Sequence, residues 1–232
     1  IMCDAGRKVS LGGNIGESFA YSVATEKNFW YVLELSSFQL DGMTKFRADV
    51  GVLMNITPDH LDRYDYKFEN YAASKMRITQ NQSSADAFIY SADDDMTRQM
   101  LDKMDSSLRA RQLPFAVNTA IASGDGDAVL EGYTFTASVG KQSVTIDTRK
   151  MQIHGMHNIY NAMAAALATL AAGVEPRVIK RSIYDFSPVE HRLEPAGERN
   201  GIRWINDSKA TNVDSVWYAL ESMTRPVVWI AG

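Results

Sequence analysis

The chain has 232 residues, 45% hydrophobic and 22% charged, with a formal net charge of −4. That size suits one large domain or one domain with part of another, and the acidic balance argues against binding nucleic acid by phosphate neutralisation. The single cysteine, Cys3, excludes an internal disulfide framework, and the longest small-apolar run, Ala162 to Ala172, is too short to span a membrane; a soluble cytoplasmic protein is expected.

Ile1-Met2-Cys3-Asp4-Ala5-Gly6 reads as the last turn of a helix with its glycine stop. Val227 to Gly232 reads as a buried strand running into a glycine. Both ends look cut, which makes the chain a piece of a longer protein. Val9-Ser10-Leu11 is a short strand, followed by three glycines in Gly12-Gly13-Asn14-Ile15-Gly16. Glycines let backbone amides approach a ligand, and Asn14 offers a donor and an acceptor, although a plain tight turn has the same pattern. No Lys-Ser/Thr follows, so this is not a Walker A loop.

Phe29 to Leu35 is a continuous apolar run interrupted only by Glu34, the pattern of a central strand buried on both faces. It leads into Ser36-Ser37-Phe38-Gln39. In open sheets ligands gather at the carboxyl ends of strands, and even spacing puts Glu34 and Ser36 on one side of an extended chain. Glu34 as a solvated strand-end charge is the other reading. Asp49 to Asn55 repeats the strand pattern and ends in Ile56-Thr57-Pro58-Asp59-His60-Leu61-Asp62-Arg63-Tyr64. There His60 and its aspartates suit ligation or acid-base work, or simple capping beside a surface histidine.

Phe68 to Gln82 has the stripe of an amphipathic helix, with Lys75 on it; most helix lysines are solvated. Ala87 to Ser91 and Pro114 to Val117 are strands, with a helix from Asp93 to Met104 between them, its acidic start suited to an N-terminus. Asp127 to Thr148 alternates about a Gly140-Lys141 turn, an antiparallel hairpin region. His157-Asn158-Ile159-Tyr160-Asn161 opens a helix to Ala172, with Asn158 as N-cap and Asn161 on the same side of the first turn. A further helix starts at Pro176. Phe186 to Asn200 lacks an apolar period and reads as a boundary. Beyond it a strand at Arg203 to Asn206, a helix to Met223 and the terminal strand make a β-α-β unit.

Taken together, these motifs resemble the Mur ligases, which extend the peptidoglycan stem peptide. They are Gly12 to Gly16, Glu34 to Leu40, Asn55 to Tyr64, Tyr71 to Ile78, His157-Asn158 with Asn161, Glu190-His191-Arg192 and Trp204 to Asn212. Ser36-Ser37-Phe38-Gln39 places the resemblance nearest the D-glutamate-adding branch. It implies an α/β fold: a mostly parallel sheet flanked by helices, a small antiparallel region, then the start of a Rossmann-like α/β domain. Residues 1–189 would be the central ATP-binding domain, and 190–232 the hinge and first β-α-β of the C-terminal domain. The implied activity is ATP-dependent amide ligation of D-glutamate to UDP-N-acetylmuramoyl-L-alanine through an acyl phosphate.

Carried over by residue, the resemblance implies that Glu34, His60 and Lys75 meet Mg2+, Lys75 as a carbamate. Lys75, His60 and Lys209 are the implied catalytic residues. Asn158, Asn161, Arg192 and Asp207 meet ATP, and Asn14, Ser36 and Thr211 meet the other substrates. Nucleic-acid and membrane partners are not implied, and a monomer is. The family's phosphate loop would precede Ile1, so residues 1–232 alone are expected to be inactive. The rivals are another Mur-type or folylpolyglutamate ligase, and a non-catalytic nucleotide-sugar binding module.

Overall fold

The computed structural model describes every residue except Asn28, Phe29, Asp105, Ser106, Ser123, Pro188, Asn212 and Gly232. Phe29, Asn212 and Gly232, which belong to stretches read above, thus lie outside the described residues. Ile1 to Gly6 is a helical turn: the Ala5 N–H donates to the Ile1 carbonyl at 2.9 Å, and Gly6 has a φ of 72°.

Two sheets make up the first part. In one, β1 (Val9–Gly13) and β2 (Trp30–Glu34) run parallel, with α1 (Phe19–Thr25) as the crossover. In the other, β3 (Val50–Leu53), β4 (Ala87–Ser91), β5 (Arg111–Ala116) and β6 (Gly126–Glu131) run parallel in that order. β6 then continues antiparallel through β7 (Thr134–Val139) and β8 (Gln142–Asp147). The alternating segment is therefore not separate from the parallel strands: β6 pairs with β5 through Phe115 and Ala116, and one six-stranded sheet results.

Helices cover both faces of this sheet. Residues of opposite parity on β4 show it: Ala87 and Ile89 join a core with α5 (Met156–Ala171) and α6 (Pro176–Asp185). Phe88 joins a second core with α3 (Phe68–Met76) and Met100 of α4 (Asp95–Met104). Phe88, Ile89, Leu113, Phe115, Phe135 and Leu167 are fully buried. α6 opens with Pro176 at its first turn, as read from the sequence. α5 ends at Gly173, whose φ of 74° is the left-handed stop that a side chain would resist.

Several expectations are corrected. β2 is not buried on both faces: Val32 is 46% exposed, because among the described residues β2 is hydrogen-bonded to β1 alone. The helix read to Gln82 ends at Met76 and tightens into a 3-10 turn, Arg77–Thr79. Polar side chains there turn back to residues 40–48, which precede β3. Arg77 Nε donates to Leu40 O at 2.9 Å, Asn81 Nδ2 to Phe46 O at 2.7 Å and Gln82 Nε2 to Ala48 O at 2.9 Å. The N-cap of α5 is Gly155, not Asn158. Asn158 sits inside the first turn and donates its amide to His154 O at 2.7 Å.

Beyond α6 comes an antiparallel ribbon of β9 (Glu194–Arg199) and β10 (Ile202–Asn206), then α7 (Val213–Glu221). β9 was not foreseen. Val227 to Ile230 form no strand and pair with no described strand, and Val228 is 90% exposed.

Candidate active site

The ends of β1, β2 and β3 and the segments that follow them carry Asn14, Glu34, Ser36 and His60. After β1 the chain turns at Gly13, whose φ is 103° and where a Cβ would lie 2.3 Å from the Glu34 carbonyl oxygen. Only glycine fits so close an approach. It lets the Asn14 N–H donate to Glu34 O at 2.7 Å and Asn14 Nδ2 to Glu34 Oε1 at 3.1 Å. Asn14 and Glu34, twenty residues apart, are thus one unit, with both side chains open to solvent.

α2 (Ser37–Gly42) begins right after β2, and Ser36 is its N-cap. The Ser36 hydroxyl accepts from the Gln39 N–H at 3.3 Å, and the Ser36 N–H donates to Gln39 Oε1 at 2.9 Å, a reciprocal capping box. The chain leaves the strand here because these two side chains satisfy the helix start. In this conformation the Ser36 hydroxyl is occupied by that cap.

Phe38, on α2, ties the end of β2 to the end of β3. Its ring lies 5.2 Å from the His60 ring and is stacked with Tyr64 at 6.1 Å. His60 has a left-handed backbone, φ 50°, at the start of the 3-10 turn Leu61–Arg63, and its N–H is held by Asp59 Oδ1 at 2.8 Å. Tyr64 is buried, donates to Asp41 Oδ2 at 2.9 Å and meets Ser74 Oγ at 3.2 Å. Ser74 in turn donates to Ser37 O at 3.0 Å, so α2 and α3 are stitched together.

Lys75, one residue past that stitch, has its Nζ 5.1 Å from the centre of the Tyr71 ring. Burial pushes its amine below the usual lysine range, and the charges of Asp59, Tyr64 and Asp94 oppose this only in part. An amine shifted that way spends more time neutral, and therefore nucleophilic, than an exposed lysine. Among the described residues no hydrogen bond or ion pair joins Glu34, His60 and Lys75 to one another, and no three His, Cys, Asp or Glu side chains converge on one point.

The second group lies at the start of α5. Asn158 and Asn161 sit on its first turns, and Asn161 faces the cavity that also receives Lys75. Burial lowers the His157 imidazole, as does the nearby Arg192 charge, while Asp207 raises it. Arg192 and Asp207 are thus close enough to α5 to be felt there. Asp207 Oδ1 accepts from the Leu193 N–H at 3.0 Å, which folds the 190s segment onto β10. The Lys209 N–H donates to His191 O at 3.1 Å, and the Thr211 N–H to Lys209 O at 3.1 Å. Both side chains are exposed.

One group went unread in the sequence. Asp93, at the end of β4, accepts from the Tyr160 hydroxyl at 2.6 Å, the Val117 N–H at 2.6 Å and the Asn118 N–H at 3.1 Å. Burial raises its carboxyl, but these donors win and hold it below the ordinary range. Burial, then the bond to Asp93, pushes the Tyr160 hydroxyl well above the usual phenol range. The pair fixes the N-terminal part of α5, and with it Asn158 and Asn161, against two strand ends. Tyr160 stood inside the quoted motif, but its partner is 67 residues away, beyond any local pattern.

The Mur ligase middle domain model matches residues 14–169, about two thirds of the chain. The chain belongs to the Mur ligase family. Among curated relatives it is 45% identical over 232 residues to a UDP-N-acetylmuramoylalanine–D-glutamate ligase of Christiangramia forsetii, and 48% identical to the one of Bacteroides fragilis. In both comparisons all of this chain aligns to 51% of the relative, so the chain spans about half the length of these Mur ligases. Among solved structures it resembles MurF of Acinetobacter baumannii, with a TM-score of 0.64 at 16% identity, covering 93% of this chain and 53% of that one. The S73A mutant of L. casei FPGS gives a TM-score of 0.59 at 14% identity, covering 89% and 51%. At those identities the likeness speaks for a shared Mur ligase fold and nothing finer. No helix among the described residues is long and apolar enough to cross a membrane.

Proposed function

We propose that the full-length protein is a cytoplasmic, monomeric, ATP-dependent ligase that adds D-glutamate to UDP-N-acetylmuramoyl-L-alanine in peptidoglycan biosynthesis. Residues 1–189 supply its central domain, and 190–232 the hinge and opening of its C-terminal domain. The names of the relatives at 45% and 48% identity support the substrate pair. The observation that carries the chemistry is Lys75: a half-buried amine, shifted toward neutrality and within electrostatic reach of Asp59, the residue before His60.

In the reaction proposed, a carboxylate oxygen of UDP-N-acetylmuramoyl-L-alanine attacks the γ-phosphorus of ATP and the bond to ADP breaks. The amine of D-glutamate then adds to the acyl carbon, loses a proton, and the carbon–oxygen bond to phosphate breaks. Such chemistry asks the protein chiefly for positioning and charge neutralisation. The donor set fits magnesium in part: Glu34 offers carboxylate oxygens braced by Asn14, and His60 one ring nitrogen beside Asp59. Magnesium prefers oxygen and keeps phosphate or water ligands, so two protein side chains are enough to place it. When bound, the ion supplies charge neutralisation at the transferring phosphoryl group.

A carbamate on Lys75 would add a carboxylate-like group to this set, and the neutral amine it requires is what burial favours. Asn158, Asn161, Arg192 and Asp207 would receive ATP at the start of α5. Asn14, Ser36 and Thr211 would contact the other substrates, Ser36 after giving up its cap, and Lys209 would act near the reacting carboxyl.

The test is made on the full-length polypeptide. UDP-N-acetylmuramoyl-L-alanine should raise its melting temperature and a folate should not; the reverse would favour a folylpolyglutamate-type enzyme. Lys75→Ala, Glu34→Ala and His60→Ala should each lower ligation by at least about 10²-fold while the melting temperature stays within a few degrees. With 13C-bicarbonate, a carbamate carbon resonance should be present in wild type and absent in Lys75→Ala. Full ligation by Lys75→Ala would overturn the assignment.

A further inference from the structure

α7 belongs to the last stretch of the chain, yet it meets the first turn of α5. The Tyr218 ring lies 6.4 Å from the His157 ring, tilted by 47°. Tyr218 stands outside every motif read from the sequence and is 50% exposed, so core packing does not account for it. What it rests on is firmly held. The His157 ring folds back over Gly155, where a Cβ would lie 2.8 Å from His157 Cε1, so a side chain there would push the ring away. Tyr160, three residues on and on the same side of the helix, donates to Asp93 Oδ2 at 2.6 Å and lies edge-on to the fully buried Phe115 at 6.1 Å. Tyr160 feels Tyr218 as well: burial and Asp93 raise its hydroxyl most, and Tyr218 adds to them.

We propose that Tyr218 is a positioning residue of the nucleotide site: by seating α7 on His157, it holds Arg192 and Asp207 beside the start of α5, which carries Asn158 and Asn161. Three observations carry it. First, the ring that Tyr218 meets is one residue before Asn158, so its seat is the turn assigned to the nucleotide. Second, Arg192 and Asp207 reach that turn: after burial, the Arg192 charge lowers the His157 imidazole and the Asp207 charge raises it. Third, the segments that carry them are tied together and lead into α7. Asp207 Oδ1 accepts from the Leu193 N–H at 3.0 Å, and the Lys209 N–H donates to His191 O at 3.1 Å. α7 begins shortly after, at Val213. Seating α7 on α5 therefore seats both charged residues.

The role deepens the reading under Proposed function and rests on it for the nucleotide. Residues set in place beforehand lower the ordering cost of binding, so Tyr218 acts on nucleotide affinity and leaves the chemical steps alone. An aromatic pair is worth a factor of about 2–10 in an equilibrium. A site that is competent for only a fraction of the time binds more weakly by that fraction. The contact itself joins two protein rings, and it holds whatever ligand the turn receives.

The experiment uses the full-length polypeptide, with ADP as the probe. In proton–carbon spectra of the histidine rings recorded before ADP is added, the His157 signal is assigned by its loss in His157→Gln. It should move in Tyr218→Ala, as the ring current of Tyr218 is lost, and keep its place in Tyr218→Phe. Tyr218→Leu, which keeps the bulk without the ring, should behave as Tyr218→Ala. By calorimetry the ADP dissociation constant should rise about 2–10-fold in the Ala and Leu variants and return to the wild-type value in Tyr218→Phe. KM for ATP should follow it, with kcat unchanged. A His157 signal that ignores both the Ala and the Leu substitution would overturn the proposal. A moved signal with unchanged ADP affinity would leave a contact that positions nothing, and would overturn it equally. A wild type that shows the ring contact and binds no ADP would refute the nucleotide reading, and the positioning role with it.

Discussion

β4 and β2 are both five-residue apolar strands, and their fates differ. β4 lies between β3 and β5 with helices on both faces, and Phe88 and Ile89 are fully buried. Among the described residues β2 pairs with β1 alone, and none of its residues is fully shielded. Burial is thus a property of the position that a strand occupies, and composition records the position the chain is built for. Where the two disagree, as at Val32, composition alone misreads the burial.

Truncations in the full-length polypeptide break or sharpen that contrast. Phe115→Ala, in the closed region, should cost about 3–5 kcal/mol in urea denaturation, the range for a fully buried aromatic. Val32→Ala, on the open strand, should cost no more than about 1 kcal/mol, because its methyl groups are only half buried. A cost as large as that of Phe115→Ala would contradict the contrast.

A smaller effect than at Phe115 is expected where a buried charge anchors the closed sheet. Asp86 is 2% exposed and accepts from the Ser83 N–H at 2.6 Å, Ser83 Oγ at 2.9 Å and Arg47 at 3.0 Å. Burial raises its carboxyl, and these donors overcome it and leave it below the usual range. A depressed folded value adds stability above the unfolded pKa of ~3.9, and that stability is lost as pH falls through the folded value. Asp86→Asn should therefore cost about 1–3 kcal/mol at pH 7, and the gap to wild type should narrow below about pH 4. A gap that is constant with pH would contradict the charged role.

Smaller again is the strut between strand ends and α5. Tyr160→Phe removes one of the donors to Asp93 and should cost about 1–2 kcal/mol. Because that strut orients Asn158 and Asn161, KM for ATP should rise with little change in kcat; an unchanged KM would leave Tyr160 a stability residue alone.

The closed region was largely legible in the sequence because its signals are local. Ala87–Ser91 matches its predicted strand end to end, Gly140 closes the β7–β8 turn, and Pro176 opens α6. What escaped depends on partners. β9 has no apolar alternation and exists as one half of a two-stranded ribbon. Val227 to Ile230 have a strand's composition and pair with no described strand. Asn158 has the chemistry of an N-cap, yet Gly155 with its φ of 96° takes that place, a backbone choice that side-chain propensity does not encode. At the candidate site, the placement of Asn14, Glu34 and His60 at or beyond strand ends was readable from the strand pattern. The Phe38 bridge and the Asp93–Tyr160 strut join segments far apart in the chain and were not.

The most direct test of the account is phosphate release by the full-length polypeptide with ATP and magnesium. Release is predicted only when UDP-N-acetylmuramoyl-L-alanine and D-glutamate are both present, and residues 1–232 alone should give none. Release that does not depend on D-glutamate, or that a folate supports in place of the nucleotide sugar, would contradict it.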